Sequence, residues 1–132
     1  MLGDYLKNAI QNHIFLNQPL TLSENIYIGL SKTSPNANGT NITEPSGNGY
    51  SRLEMARSSI DFTSPVNGTI KNKIKKSFNE STGSWGTCTH YVIFDKSTGG
   101  NLLWYGELTY SRTIEADMQL FIKENDLVFT LE

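Results

Sequence analysis

The chain has a single cysteine, Cys88, which excludes an intramolecular disulfide and suits assembly in a reducing compartment such as a bacterial cytoplasm. Only two histidines are present, His13 and His90, so a zinc site with four ligands at conventional spacing is excluded. No segment approaches the roughly twenty apolar residues of a membrane span, and the N-terminus lacks the basic and apolar regions of a signal peptide, so no membrane partner is expected. Basic residues are not in excess: eleven Lys and Arg stand against thirteen Asp and Glu, a formal net charge of −2. No extended electropositive surface that would track a phosphate backbone follows from this, and no nucleic-acid partner is expected. The one local concentration, Lys71, Lys73, Lys75 and Lys76, fits a strand with a solvated lysine face and Ile70, Ile74 and Phe78 behind it. Sequon-like triplets begin at Asn38, Asn41, Asn67 and Asn79, but they carry meaning only in a eukaryotic secreted chain.

What the chain does have is size and a β pattern. A chain of 132 residues can bury roughly two thirds of its unfolded surface, enough for one core without metal or disulfide. Leu2, Tyr5, Leu6, Ala9, Ile10, His13 and Ile14 recur at spacings of three and four, which predicts one short amphipathic helix ending near Asn17-Gln18-Pro19. Residues 1–18 are therefore read as a helix for docking or oligomer contact, and residues 19–132 as a β domain.

After Pro19 strands and turns take over. The pattern predicts strands at Asn25 to Leu30, Tyr50 to Arg57, Ser59 to Phe62, Thr69 to Phe78, Met118 to Ile122 and Leu127 to Leu131, with Tyr110 to Asp117 as a polar connection. The stretch Ser84 to Glu107 (SWGTCTHYVIFDKSTGGNLLWYGE) predicts a hairpin, its turn supplied by Asp95, Ser97, Gly99 and Gly100. Strict alternation would put Cys88, His90, Val92 and Phe94 on one face of its first strand and Thr87, Thr89, Tyr91 and Ile93 on the other. In its second strand Leu102, Trp104 and Leu108 would oppose Leu103, Tyr105 and Glu107. Apolar groups on both faces call for a sheet covered on both sides. About eight strands with no βαβ alternation predict a mainly β fold: an antiparallel β-sandwich or jelly-roll-like domain with a short N-terminal amphipathic α-helix.

No catalytic constellation emerges. Cys88 and His90 lie two apart on one strand, but a catalytic thiol needs an electropositive, partly exposed place and a third group to orient the base. Both are read as structural. Gly47-Asn48-Gly49 lacks the Lys-Ser/Thr and the following helix of a phosphate loop, and no spacing pairs two carboxylates for glycoside hydrolysis. No enzyme activity and no cofactor are expected. The loop Ser31 to Gly49 is nineteen residues without apolar periodicity, and loops of that length tend to be functional or mobile. Trp85, Tyr91, Trp104 and Tyr105 suit a β core or interface, or a sugar-stacking platform, with Trp85 beside Gly83 and Gly86 as the ring expected to be exposed. The candidate partner contacts are Leu2, Tyr5, Leu6, Ile10 and Ile14 of the helix, Pro35 and Asn38 of the loop, and Trp85.

The segments NIYIGLSKTSP (25–35), EPSGNGYSR (44–52), SWGTCTHYVIFDKSTGGNLLWYGEL (84–108) and NDLVFTL (125–131), with LGDYLKNAIQNHIF at the N-terminus, resemble the small phage proteins labelled tail-fibre-like. The resemblance spans most of the chain and keeps the order of segments. It implies a non-enzymatic structural component of the virion of a tailed bacteriophage or prophage, present in several copies, as a trimer, and in contact with other virion proteins of capsid or tail. The chain has no repetitive shaft, collagen-like run or heptads, so a tail-fibre-like position and a capsid-decorating one both fit. A host-surface carbohydrate-binding module is the alternative, with a host glycan as its partner.

Overall fold

The computed structural model describes residues 1–131 and has one helix, α1 (Asp4–Phe15), and eight strands. The strands are β1 (Asn25–Ser31), β2 (Leu53–Ala56), β3 (Thr69–Lys71), β4 (Lys76–Ser77), β5 (Gly86–Phe94), β6 (Leu102–Ile114), β7 (Phe121–Ile122) and β8 (Val128–Thr130). All strand pairs are antiparallel, and the fold is mainly β with a short N-terminal helix, as the sequence predicts. A four-stranded sheet in the order β2-β1-β5-β6 forms the centre, and β3-β8 and β4-β7 form two separate two-stranded ladders.

The hairpin β5-β6 is the backbone of the sheet. Its turn closes because Asp95 Oδ1 accepts the Asn101 N–H at 2.7 Å and Oδ2 accepts Asn101 Nδ2–H at 3.0 Å. Gly99 and Gly100 take φ of 61° and 81°, the left-handed region that glycine enters without steric cost.

One face of the sheet carries the main core: Ile28, Leu30, Met55, Cys88, Ile93, Leu103 and Ile114 pack with Phe78, Trp85 and Leu127. The two ladders help to cover it, through Ile122 of β7 and Phe129 of β8. The other face carries a smaller cluster of Val92, Phe94 and Leu102, onto which Ile42 and Tyr105 pack. Ile42 belongs to the long loop after β1, so this loop supplies part of the second cover. It is held by its own bonds, Lys32 N–H to Thr43 O at 2.8 Å and Asn36 N–H to Thr40 O at 2.9 Å. Ser31 Oγ, wholly buried, accepts the Thr43 N–H at 3.1 Å.

Several expected elements differ. Ser59 to Phe62 is a turn with one isolated bridge, Phe62 to Asn72, rather than a strand. The expected strand Thr69 to Phe78 breaks after Lys71, because Asn72 is buried and its side chain satisfies backbone groups that a ladder would have used. Its Oδ1 accepts the Leu127 N–H at 2.8 Å and its Nδ2 donates to Lys123 O at 2.7 Å. The lysine face goes with it: Ile74 is exposed, Lys76 pairs with buried Asp61 at 3.4 Å and Lys75 lies over the Phe121 ring. Conversely β6 runs on to Ile114 through what reads as a polar connection, because Gly86, Thr87 and Cys88 pair with Ile114, Thr113 and Arg112. Met118 to Ile122 shrinks to Phe121–Ile122.

Strict alternation fails in the hairpin as well. Register shifts occur between Cys88 and His90 and between Ile93 and Phe94. Such irregularities reset which face a side chain takes. Cys88 therefore joins Tyr91 and Ile93 in the main core, apart from Val92 and Phe94, while neighbouring Leu103 and Trp104 both reach that core and Leu102 and Tyr105 reach the smaller cluster.

Candidate functional site

The N-terminal segment is built onto the free edge of β6. Gly3 N–H donates to Leu103 O and Tyr105 N–H donates to Met1 O, both at 2.9 Å, around an antiparallel bridge between Leu2 and Trp104. Leu2 is thus a sheet-edge residue and not part of the helix, a correction to the predicted helical stripe. Gly3 is required by close approach: a Cβ there would stand 2.4 Å from Leu102 O. Asp4 N–H then donates to Ala37 O at 2.8 Å, so the helix start and the long loop, two elements expected to make contacts, are tied to each other.

From this anchor α1 runs along the molecule with Leu6, Ala9 and Ile10 half-buried and none of its residues fully buried. Leu6 packs against the core, and Leu2, Leu6 and Ile10 form one wall of an apolar groove of about 700 Å³. Ile26, Trp104 and Phe129 line it from the sheet and β8. Beyond the groove the helix end is more exposed still: Ile14 is 64% and Phe15 77% accessible, and Tyr5 is exposed too.

A second opening on the same side of the sheet differs in character. It is a cleft of about 720 Å³ floored by Leu30, Phe78 and Leu127, with Tyr110 and Arg112 from β6 on one side. Gln119, Lys123 and Asp126 bring polar groups to it from around β7. Between Cys88, which pairs with Arg112, and His90, which pairs with Glu107, β6 has four residues where β5 has one. The surplus arches Leu108 to Ser111 out of the regular ladder.

The remaining sequence candidates fall elsewhere. Trp85, expected as the exposed ring, is 2% accessible; its ring meets Tyr50 edge-on at 5.2 Å and its Nε1–H donates to Asn48 O at 2.8 Å. The flanking glycines and the strand start do not expose it, because the Tyr50 segment folds over it. Pro35 is buried and cannot be a contact residue, whereas Asn38 is exposed at the loop tip, its Oδ1 accepting Thr40 Oγ1–H at 2.6 Å. The groove and cleft residues outside the helix are not legible in sequence, since elements far apart in the chain supply them.

Cys88 and His90 are apart in role as well as in facing. Cys88 is wholly buried, and burial pushes its thiol pKa up, the opposite of a reactive thiolate. His90 Nδ1 is engaged by Thr89 Oγ1 at 2.8 Å. The native chain is expected to resist alkylation by iodoacetamide at neutral pH and to react fully in denaturant. Rapid modification of the native protein, read by mass spectrometry, would refute the buried assignment. Among the described residues no group of three or more His, Cys, Asp or Glu could hold a metal ion, and no helix is long and apolar enough to cross a membrane.

Compared with known families, residues 1–130 match the family model Gp80, described as podophage GP4 fiber I protein gp80. None of the curated proteins matches the chain.

Proposed function

We propose, from the premise that the chain belongs to the Gp80 family of podophage fibre proteins, that it is a non-enzymatic structural component of the virion of a tailed bacteriophage. It is a small β domain displayed on the particle at a fibre, in several copies, with a trimer as its oligomeric unit. The observation that carries this reading is the apolar groove beside α1, continued by exposed Ile14 and Phe15. A helix with half-buried Leu6 and Ile10 but no fully buried residue, anchored by backbone bonds at its start, supports attachment to other virion proteins, because a partner would complete the burial of the apolar stripe. A tail-fibre position is favoured over capsid decoration by the family's description. Function then follows from shape and multiple attachment rather than from turnover.

Ile10→Asp places a charge in the groove wall, and Phe15→Asp one on the exposed helix end. Both are expected to leave the circular dichroism spectrum and Tm of the isolated chain within a few degrees of the parent. Both are also expected to lower its copy number on purified particles by at least roughly tenfold, since burying an unpaired charge is strongly unfavourable. Quantitative mass spectrometry of particles and electron microscopy give the readout. Full incorporation of both variants would refute the groove as the attachment surface, and density for the chain only on the capsid would refute the fibre position.

A further inference from the structure

Three asparagines of the chain precede glycine, in the pairs Asn38-Gly39, Asn48-Gly49 and Asn67-Gly68. With no side chain on the glycine, its backbone nitrogen can reach the preceding carboxamide, so each pair is chemically able to close to a succinimide. We infer that Asn67 is the site at which the folded chain deamidates, while the fold protects Asn38 and Asn48. The reaction needs no enzyme, and water is its only co-reactant.

What holds the reacting groups differs among the three pairs. Asn38 Oδ1 accepts the Thr40 N–H at 3.1 Å and the Thr40 hydroxyl at 2.6 Å, and the Gly39 N–H that would attack is spent on Asn36 O at 3.0 Å. Asn48 is held more firmly. Its Nδ2 donates to Ser84 O at 3.0 Å, and its backbone oxygen accepts the Thr82 N–H at 2.9 Å and the Trp85 Nε1–H at 2.8 Å. Its carboxamide also lies so close to Gly83 that a Cβ there would stand 2.6 Å from Cγ. Asn67 and Gly68 are both exposed, and among the described residues neither the Asn67 carboxamide nor the Gly68 N–H makes a hydrogen bond. Only the turn restrains this pair. Asn67 and Gly68 take φ of 53° and 78°, the two left-handed positions of a hairpin turn closed by Val66–Thr69 backbone bonds of 2.9 and 3.0 Å. The turn leads into β3, which has three residues and no ladder partner but β8. Two-stranded elements this short open locally at little cost, and opening lets Asn67 leave the left-handed region and bring Cγ onto the Gly68 nitrogen.

In the ring-closing step the Gly68 nitrogen gives up its proton and bonds to Asn67 Cγ, the Cγ–Nδ2 bond breaks, and ammonia leaves with that proton. Water then opens the ring at either carbonyl to give aspartate or isoaspartate, with no change of oxidation state. Both products put a carboxylate where a neutral amide stood. The isoaspartate also adds one main-chain atom to a turn that the Leu131 N–H grips through Gly68 O at 2.9 Å. Gly68 and Leu131 line the groove beside α1, so the new charge arises one residue from that lining.

The test incubates the full chain for several weeks at neutral pH, folded in buffer and unfolded in urea. Peptide mass spectrometry reads the exchange of amide for acid at each asparagine, and fragmentation separates aspartate from isoaspartate. In the folded chain Asn67 is expected to convert at least about tenfold faster than Asn38 or Asn48, because its turn opens without the rest of the structure. In urea the three rates should converge to within a few-fold, with the β-branched Val66 before Asn67 giving it no advantage. Asn67→Gly keeps the left-handed turn without steric cost. It should abolish the main acidic species on ion exchange and leave Tm within a few degrees of the parent. Asn38 or Asn48 leading in the folded chain, equal rates at the three sites, or no conversion of Asn67 would each overturn the inference. So would an acidic species undiminished in Asn67→Gly, or a lead for Asn67 that persists in urea, which would trace it to local sequence and not to the fold.

Discussion

Trp85→Ala is expected to lower the stability of the chain by about 3–5 kcal/mol, the range for removing a large buried aromatic. At this chain length that corresponds to a fall in Tm of roughly 10–20 °C. Trp85 is among the largest fully buried side chains, in contact with Tyr50 at 5.2 Å and 86° and with Phe78 at 6.4 Å and 71°. Edge-to-face pairs of this kind add stability beyond their buried area. Truncation would leave a cavity that three chain segments cannot close without moving: the Asn48–Tyr50 turn, the end of β4 and the start of β5. It would also remove the Nε1–H donor from Asn48 O. Trp85→Phe keeps most of the volume and loses only that bond, so its cost should be about 1–2 kcal/mol. Thermal and urea unfolding read both values. A Trp85→Ala variant melting within a few degrees of the parent would show that the ring is not the keystone of the core.

Arg52→Ala is expected to be the other costly change. The Arg52 guanidinium donates through Nη2 to Glu44 Oε1 at 2.6 Å and through Nε to both carboxylate oxygens at 3.1–3.2 Å. Its Nη1 donates to Lys96 O at 2.8 Å and Gly99 O at 2.7 Å, and the plane lies 3.7 Å from the Phe94 ring centroid. One side chain thus joins the long loop, the approach to β2 and the β5-β6 turn. Only 7% of the Arg52 side chain and 21% of the Glu44 side chain is accessible, and removing one partner of a buried pair typically costs about 3–5 kcal/mol. Because Glu44 keeps some contact with water, about 3 kcal/mol is expected. Arg52→Lys should recover less than half, since an ammonium cannot reproduce the planar fork. A loss below about 1 kcal/mol would place the pair with ordinary surface salt bridges.

The same carboxylate governs the alkaline limit of the fold. Glu44 Oε2 accepts the Tyr50 hydroxyl at 2.6 Å, and burial first, then this bond and the Glu44 charge, raise the Tyr50 pKa above its ordinary value. The native state holds the proton where the unfolded chain releases it, at about pH 10. This contribution to stability is therefore complete below that pH and is lost progressively above it. Tyr50→Phe should be less stable at neutral pH and less sensitive to alkali. Parallel stability profiles for parent and variant from pH 9 to 12 would refute the linkage.

Local chemistry was legible wherever a few neighbouring residues decide the outcome. The helix pattern placed Tyr5, Leu6 and Ile10 within α1, and Asp95 with Gly99-Gly100 placed the hairpin turn. The aromatic and β-branched runs placed β1, β5 and the first part of β6. What failed were inferences that extrapolate a period through an irregularity. Strict alternation puts Cys88 on the face of Val92 and Phe94, whereas the irregularity between Cys88 and His90 turns it into the main core. The lysine-rich segment reads as one strand because nothing in sequence shows that Asn72 is buried against residues 123 and 127. Gly83 and Gly86 beside Trp85 predict a ring in solvent, and it is the distant Tyr50 segment that covers it.

The amino-acid sequence by itself determined the class of the protein: mainly antiparallel β with one short helix, and a phage fibre-like family. Those features depend on side-chain alternation, turn residues and the order of segments, all of which are written along the chain. The tertiary structure decided which apolar residues remain available. Burial is a property of what folds over a residue, so it made Trp85 and Pro35 interior and opened a groove beside α1. It also brought Tyr110, Gln119 and Asp126 around one cleft, which no spacing in the sequence records.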